Sequence, residues 1–532
     1  MPFPPSTAGD TAGTKPTISK KHEIIIFSST AIALYGYDQG MMSLINTNRS
    51  YLRTMAIAET SPIVGIIVSV YYLGCTVGAV LASYWADKKG RKPSISACLA
   101  TTMLGNLLMF IAGLSPNGSD PWGGASLALM LAGRVILGVG VGGIDATIPV
   151  FSSELSKDGA RGRALAQEFQ MNIFGLLMAF AINLRVTIAL GKDNQWAWRI
   201  PIVVMQAFPI LLVSTISRLP ESPRWYISMD RKDDARRALA ALHGDAKAED
   251  MLDEIHRAQQ EESDEKIGYI DMLVPGGSQF HPTMLAVMGQ VNQALTGYGA
   301  VSVYGPQIFE LLGFGVREAE YVTLGNYISY FLMMTLAWMT IDVLGRRKLM
   351  VWGSGGLATC FALLTVFGGL SLDVGHISVL VTEILGSITL FVATAIFGVC
   401  WLATVWLIPT EIYPSGARAQ GSSVSVIVWG LTNFTITLIT PILFNNAKYW
   451  LFLVFAATNA FAGWWTWCYS PETGGRSFEE NQEFFITARE EGSWAVRKVD
   501  GGKFLYIPRK EKDAEDGKDV PSETAPLLGS RT

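Results

Sequence analysis

Apolar residues in this chain fall in long uninterrupted blocks rather than at the spacing of one buried face. The stretches Ile63 to Tyr84, Leu349 to Leu370, Ile384 to Pro409 and Trp450 to Tyr469 contain no Asp, Glu, Lys or Arg. About 20 such residues carry a helix across roughly 30 Å of hydrocarbon. Reading each block against its charged flanks predicts twelve spans, at 24–45, 63–84, 95–114, 125–150, 164–184 and 200–216, then 282–312, 321–344, 349–370, 377–409, 422–443 and 450–469. The first is too long and too far along to be a cleaved signal peptide.

The basic residues between the blocks lie on one side. Lys15, Lys20, Lys21, Lys88, Lys89, Arg91, Lys92, Lys157, Arg161, Arg163, Arg346, Arg347, Lys348 and Arg418 all flank one set of span ends, here the basic face. Lys and Arg bias sets topology, so both termini are expected in the cytoplasm.

The halves also repeat each other. Asp87-x-x-Gly90-Arg91-Lys92 returns 255 residues later as Asp342-x-x-Gly345-Arg346-Arg347, Glu154 with Arg161 returns after 257 as Glu411 with Arg418, and Pro220-Glu221-Ser222 returns after 251 as Pro471-Glu472-Thr473. Three nearly equal offsets, each at a basic-face helix end, mark a duplicated six-helix unit. The expectation is an all-α membrane protein of twelve helices in two pseudo-symmetric halves, with the solute site between them near the midplane. The segments read as a cytoplasmic tail (1–23), a first bundle (24–217), a cytoplasmic linker with amphipathic helices (218–281), a second bundle (282–469) and a mostly disordered cytoplasmic tail (470–532).

Composition agrees, with half of the 532 residues apolar and 16% charged. The net charge of −4 sits in tails and loops and makes no case for nucleic acid. The five cysteines lie in apolar stretches without metal-like spacing, and the five histidines are scattered. No metal, cofactor or catalytic role is assigned. Gly138 to Gly143 formally matches a dinucleotide fingerprint but lies inside a span, where close helix packing is the better reading. There is no phosphate-binding loop to couple nucleotide hydrolysis, so gradients must drive transport.

These residues resemble a sugar porter of the major facilitator superfamily, in the form typical of fungal sugar/proton symporters, from about Ile24 to Glu479. GYDQG (Gly36 to Gly40), DKKGRK (Asp87 to Lys92), Gly133-Arg134 with Pro149 and Glu154, PESPRW (Pro220 to Trp225), DVLGRR (Asp342 to Arg347), Trp406 with PTEIYP (Pro409 to Pro414) and PETGGRSFEE (Pro471 to Glu480) carry the likeness. The resemblance implies the major facilitator fold and no enzymatic activity. It also implies that an Asp at position 38 goes with proton symport, where Asn accompanies uniport.

Candidate residues follow. An intramembrane acid is costly enough to mark function, and Asp38 lies 14 residues beyond Ile24, or about 21 Å from the basic face. Arg134, on the oppositely directed fourth span, lies about 17 Å from it. The depths allow a pair, either a static ion pair or a proton switch in which access to either side changes the balance between desolvation and attraction. Asp87, Arg91, Glu154 and Arg161 with Asp342, Arg346, Glu411 and Arg418 are expected to form ion pairs that close the inner gate.

A solute rich in hydroxyls needs amides and an aromatic platform. Candidates are Gln170, Gln290, Asn292, Gln293, Trp406, Trp429 and Asn433. Departures from the family pattern weaken the sugar assignment: Ala294, Gly299, Tyr330 and Val428 stand at four amide positions, and Gln170 is one residue out of register, with Phe169 in its place. Asn48 and Asn117 are sequons in predicted outer loops. Glu523-x-x-x-Leu527-Leu528 has the spacing of a sorting signal.

The expected partners are a small sugar-like solute, protons and the lipid bilayer, with a monomer in the plasma membrane or, alternatively, a vacuolar or endosomal membrane. Proton-coupled import of a sugar or polyol leads. A carrier of another metabolite, such as a cyclic acid or an exported secondary product, and a nutrient sensor are the alternatives.

Overall fold

The computed structural model describes residues 20–58, 61–114, 124–155, 161–263, 268–370, 379–476, 478–496, 498–500 and 503–505. The first five spans are single helices, Lys20–Ile45, Pro62–Lys89, Arg91–Ile111, Ala125–Leu155 and Arg161–Leu190. The sixth is Gln195–Met205 and Ala207–Ile216 about a joint at Gln206. Spans eight, nine, eleven and twelve are Val316–Leu344, Arg346–Gly369, Ser415–Ala447 and Trp450–Tyr469.

Two spans are less regular than the sequence pattern predicts. The seventh, expected as one helix over 282–312, divides into Phe280–Leu295, Tyr298–Val303 and Gly305–Leu311. Gly297 between the first two pieces has φ of +80°, which L side chains rarely adopt. The tenth runs Val379–Phe397, widens into a π-helical turn at Gly398–Leu402, and ends as Ala403–Ile412. Such widened turns are frequent at functional sites. Ten helices among the described residues are long and apolar enough to cross a membrane. The first falls short because Asp38 and Gln39 interrupt it, the seventh because it is broken.

Two large buried cores follow the halves but exchange residues, Tyr304 and Trp429 joining the first and Phe169 and Ile173 the second, and Trp406 and Phe444 pack against both. Within the first half the fingerprint-like glycines serve close approach. A Cβ on Gly138 or Gly142 would collide with the second span at Tyr71 or Cys75.

Between the halves, Pro223–Ser228, Lys232–His243 and Asp245–Ser263 form the expected short helices. The C-terminal segment departs from expectation. Phe478–Glu490 is a helix whose Asn481, Phe484, Phe485 and Ala488 are buried at helical spacing. Asn481 donates to the Glu411 carbonyl at 3.3 Å and Gln482 to that of Ile412 at 2.6 Å. A short ribbon pairs Lys498–Asp500 with Lys503–Leu505.

Candidate functional site

The first and fourth spans bring Asp38 and Arg134 together. Asp38 Oδ1 lies 2.6 Å from Arg134 Nη1, and both side chains are 1% exposed. Arg134 also donates from Nε to the Ile67 carbonyl at 3.2 Å and from Nη2 to that of Val68 at 3.4 Å, and lies over the Tyr71 ring at 4.7 Å. The guanidinium is therefore held by backbone and ring as well as by its carboxylate. A change at Asp38 leaves it with partners.

Aromatic rings from both halves meet at the centre. Tyr35 and Tyr72 pack edge-on against Trp429 at 5.4 and 5.3 Å, Trp429 lies 6.0 Å from Trp406, and Trp406 lies 5.7 Å from Phe169. The predicted platform tryptophans are thus adjacent, with Phe169 beside them where an amide was sought. The amides behave differently from one another. Gln293 donates from Nε2 to the carbonyls of Trp401 and Leu402, both at 3.2 Å, which ties it to the widened turn of the tenth span. Gln290 and Asn292 are buried with both amide atoms unpartnered. Asn433 donates to the Trp429 carbonyl at 2.9 Å in its own helix. Gln170 stands apart, accepting from Trp338 Nε1 at 3.0 Å and donating to the Phe331 carbonyl at 3.2 Å. In this conformation it bridges the halves through the eighth span.

The basic-face charges form two copies of one device. Arg91 binds Glu154 through Nε and Nη2 at 3.2 and 3.1 Å, Asp87 through Nη1 at 3.1 Å and the Ala86 carbonyl at 2.9 Å. Arg346 binds Glu411 at 2.6 Å, Asp342 at 3.0 Å and the Ile341 carbonyl at 3.0 Å. A carboxylate that sequence reasoning left out completes each copy. Glu221 accepts from the backbone N–H groups of Arg91 and Lys92, each at 3.0 Å. Glu472 accepts from those of Arg346 and Arg347 at 2.7 and 3.0 Å. Burial pushes both carboxyls above their usual range, against the pull of these N–H donors. The repeated Pro-Glu pair was the available signal.

The expected ion pairs form among Asp87, Arg91 and Glu154 and among Asp342, Arg346 and Glu411, and each set ties helices within one half. Asp342 links the halves on this face, its Oδ2 accepting the Arg163 N–H at 3.1 Å. Arg418 donates to the Tyr413 carbonyl at 3.5 Å. The side chain of Arg161, Asn117 and the motif at Glu523 lie outside the described residues. Asn48 caps Arg49–Thr54 by accepting from the Tyr51 N–H and is 2% exposed, which leaves no room for a glycan on its amide in this fold.

The opposite face has an ion pair that the sequence reading missed. Glu320, 1% exposed at the start of the eighth span, lies 2.8 Å from Lys192 of the first half and 2.8 Å from Arg317. Nearby, Phe180 meets Tyr327 edge-on at 5.1 Å. Glu320→Gln should open this face. Charge-assisted hydrogen bonds of this kind contribute roughly 1.5–3 kcal/mol each, so spin labels at Ile188 and Tyr321, both exposed, should report a population shifted about tenfold or more toward larger separations. An unchanged distance distribution would remove Glu320 from the closure.

Two duplicated bundles around a central aromatic site, closed by contacts at both ends, define a transporter of the major facilitator type. The chain belongs to the Sugar (and other) transporter family, whose sequence model matches residues 24–485. It is similar to the MFS-type transporter oryC of Aspergillus oryzae, 29% identical over 474 residues and covering 87% of this chain and 85% of that one. It is also similar to Sugar transporter STL1 of Saccharomyces cerevisiae, 28% identical over 497 residues, with 90% and 83% covered. The solved proton:xylose symporter XylE bound to 6-bromo-6-deoxy-D-glucose shares the fold, with a TM-score of 0.75 at 21% identity over 88% of this chain and 99% of that one. The protein is a membrane carrier and not an enzyme.

Proposed function

We propose that this carrier imports a sugar or polyol together with protons by alternating access, in the plasma membrane with both termini cytoplasmic. The observation that carries the reading is the Asp38/Arg134 pair, buried at the interior of the first bundle with its guanidinium independently anchored. A proton arriving on Asp38 breaks the pair without leaving Arg134 bare, so two states of similar energy are available to couple to access. Trp406 and Trp429 offer ring faces for the solute, and Gln290 and Asn292 hold unused hydrogen-bonding capacity on the seventh span. Domain boundaries at 218 and 281 and a monomeric state belong to the same reading.

A second reading, a carrier of a less polar metabolite, is favoured by one observation. Tyr298 stacks on Phe397 at 4.1 Å and meets Tyr330 at 5.0 Å, so aromatic rings fill space that amides occupy in the family pattern. Uptake by a transporter-null host of labelled sugars, polyols, cyclic acids and apolar metabolites separates the two readings. For a sugar or polyol, Trp406→Ala should raise the half-saturation concentration about tenfold, the loss of one ring platform, and Trp406→Phe should restore most of it at equal surface abundance. Wild-type uptake confined to apolar solutes would refute the sugar and polyol reading.

A further inference from the structure

Most of the amides expected at the aromatic centre are engaged within the protein. Gln293 is bonded to the tenth span, Asn433 to its own helix and Gln170 to the eighth span, while Gln290 and Asn292 are fully enclosed. The first span carries one more, Gln39, which neither the coupling pair nor the gates use. Every residue from Ala31 to Asn48 is buried except Gln39. The span packs against the fourth, fifth, sixth and seventh spans, so this exposure is to space inside the bundle.

Two contacts fix where that space lies. Gln39 donates from Nε2 to the Tyr35 hydroxyl at 2.8 Å, one turn back on the same face of the helix. Tyr35 packs edge-on against Trp429 of the other half at 5.4 Å, and Trp429 lies 6.0 Å from Trp406. Gln39 therefore stands on the face of the first span that is turned to the aromatic centre. Asp38, paired with Arg134, points about 100° away around the helix.

The pair leaves an acceptor and a donor side by side. Gln39 Oε1 accepts no hydrogen bond from the described residues and is not enclosed. The Tyr35 oxygen accepts from Gln39, which leaves its own O–H to donate. Two hydroxyls on adjacent carbons answer that arrangement, one giving a hydrogen and the next receiving one. We propose that Gln39, oriented by Tyr35, binds the solute directly, its Oε1 accepting from one hydroxyl while the Tyr35 O–H donates to the neighbouring one, with the solute's carbon face on the Trp429 and Trp406 rings. This rests on the sugar or polyol reading above and adds the group of the first half that selects adjacent hydroxyls.

The test is direct binding to the purified full-length protein in nanodiscs, by tryptophan fluorescence, with D-xylose, D-glucose and myo-inositol as probes. The tightest is then compared with its single-deoxy analogues. Gln39→Met keeps the length of the side chain without its amide, and should raise the dissociation constant about five- to tenfold. That loss should shrink for two analogues deoxygenated at neighbouring carbons and stay full for the others, because a missing hydroxyl and the missing amide are one interaction. Tyr35→Phe, which keeps the ring on Trp429, should weaken binding less and for the same two hydroxyls. Ligand-free Gln39→Met should melt with the wild type, since Gln39 is bonded only within its own helix.

Equal binding of the probe by wild type and Gln39→Met overturns the proposal. So does a loss of the same size for every deoxy analogue, which with a lower melting temperature would make Gln39 structural. Unchanged affinity with a displaced pH midpoint of uptake overturns it in favour of a role beside Asp38 in proton coupling. A wild type that binds none of the three probes overturns the sugar and polyol reading together with this one, whereas failure at Gln39 alone leaves that reading standing.

Discussion

Asp38→Asn should abolish accumulation of solute against its gradient while leaving exchange across the membrane at an appreciable rate. The amide has nearly the same shape as the protonated acid but can neither bind nor release a proton. Arg134 keeps its bonds to the Ile67 and Val68 carbonyls and its place over Tyr71, so the site should not collapse. Removing one partner of a buried pair ordinarily costs about 3–5 kcal/mol, and these remaining contacts are what should keep the variant folded. In proteoliposomes, counterflow of labelled solute should persist while accumulation driven by a pH gradient disappears. A variant that concentrates solute at the full rate with unchanged pH dependence would show that the coupling group lies elsewhere.

The twelve spans and their duplication were legible because membrane insertion acts on composition over some 20 residues, a scale at which individual side chains average out. The Asp38/Arg134 pair was legible for the opposite reason, since charges are so costly in hydrocarbon that opposite ones at similar depth attract notice. What escaped depends on finer geometry. The breaks in the seventh span follow from Gly297, whose positive φ is a tertiary outcome and not a property of apolar length.

Glu320 stands just before the predicted eighth span at 321–344, and only the fold shows that it pairs with Lys192 from the other half. Glu221 and Glu472 stood inside a recognised repeat, but their role as acceptors for two backbone N–H groups depends on where the loop returns. Gln170 shows the converse, a plausible amide that the fold assigns to Trp338 and Phe331.

The two basic-face devices look alike, and a comparison between them gives the last prediction. Arg91→Ala and Arg346→Ala each strip a guanidinium from two carboxylates and a backbone carbonyl. Both should destabilise their bundles by several kcal/mol, on the order of 3–5, because the carboxylates left behind are partly buried.

The effects on transport should differ. Asp342 holds Arg346 through Oδ1 and the Arg163 N–H of the other half through Oδ2, whereas the structure gives Asp87 its Arg91 and Trp225 contacts within the first half and linker. Arg346→Ala should therefore free Asp342 to move and weaken the contact between halves on this face. Arg91→Ala should leave that contact in place. Arg346→Lys should keep the charge but not the fork that reaches Glu411, Asp342 and the Ile341 carbonyl together, and should fall between wild type and Ala. Thermal unfolding in detergent reads the first effect. The distance between spin labels at Arg163 and Leu344, both exposed, with and without each substitution, reads the second. If Arg346→Ala unfolds with the wild type, or if both alanine variants lengthen that distance equally, the two copies are equivalent anchors and Asp342 does not link the halves.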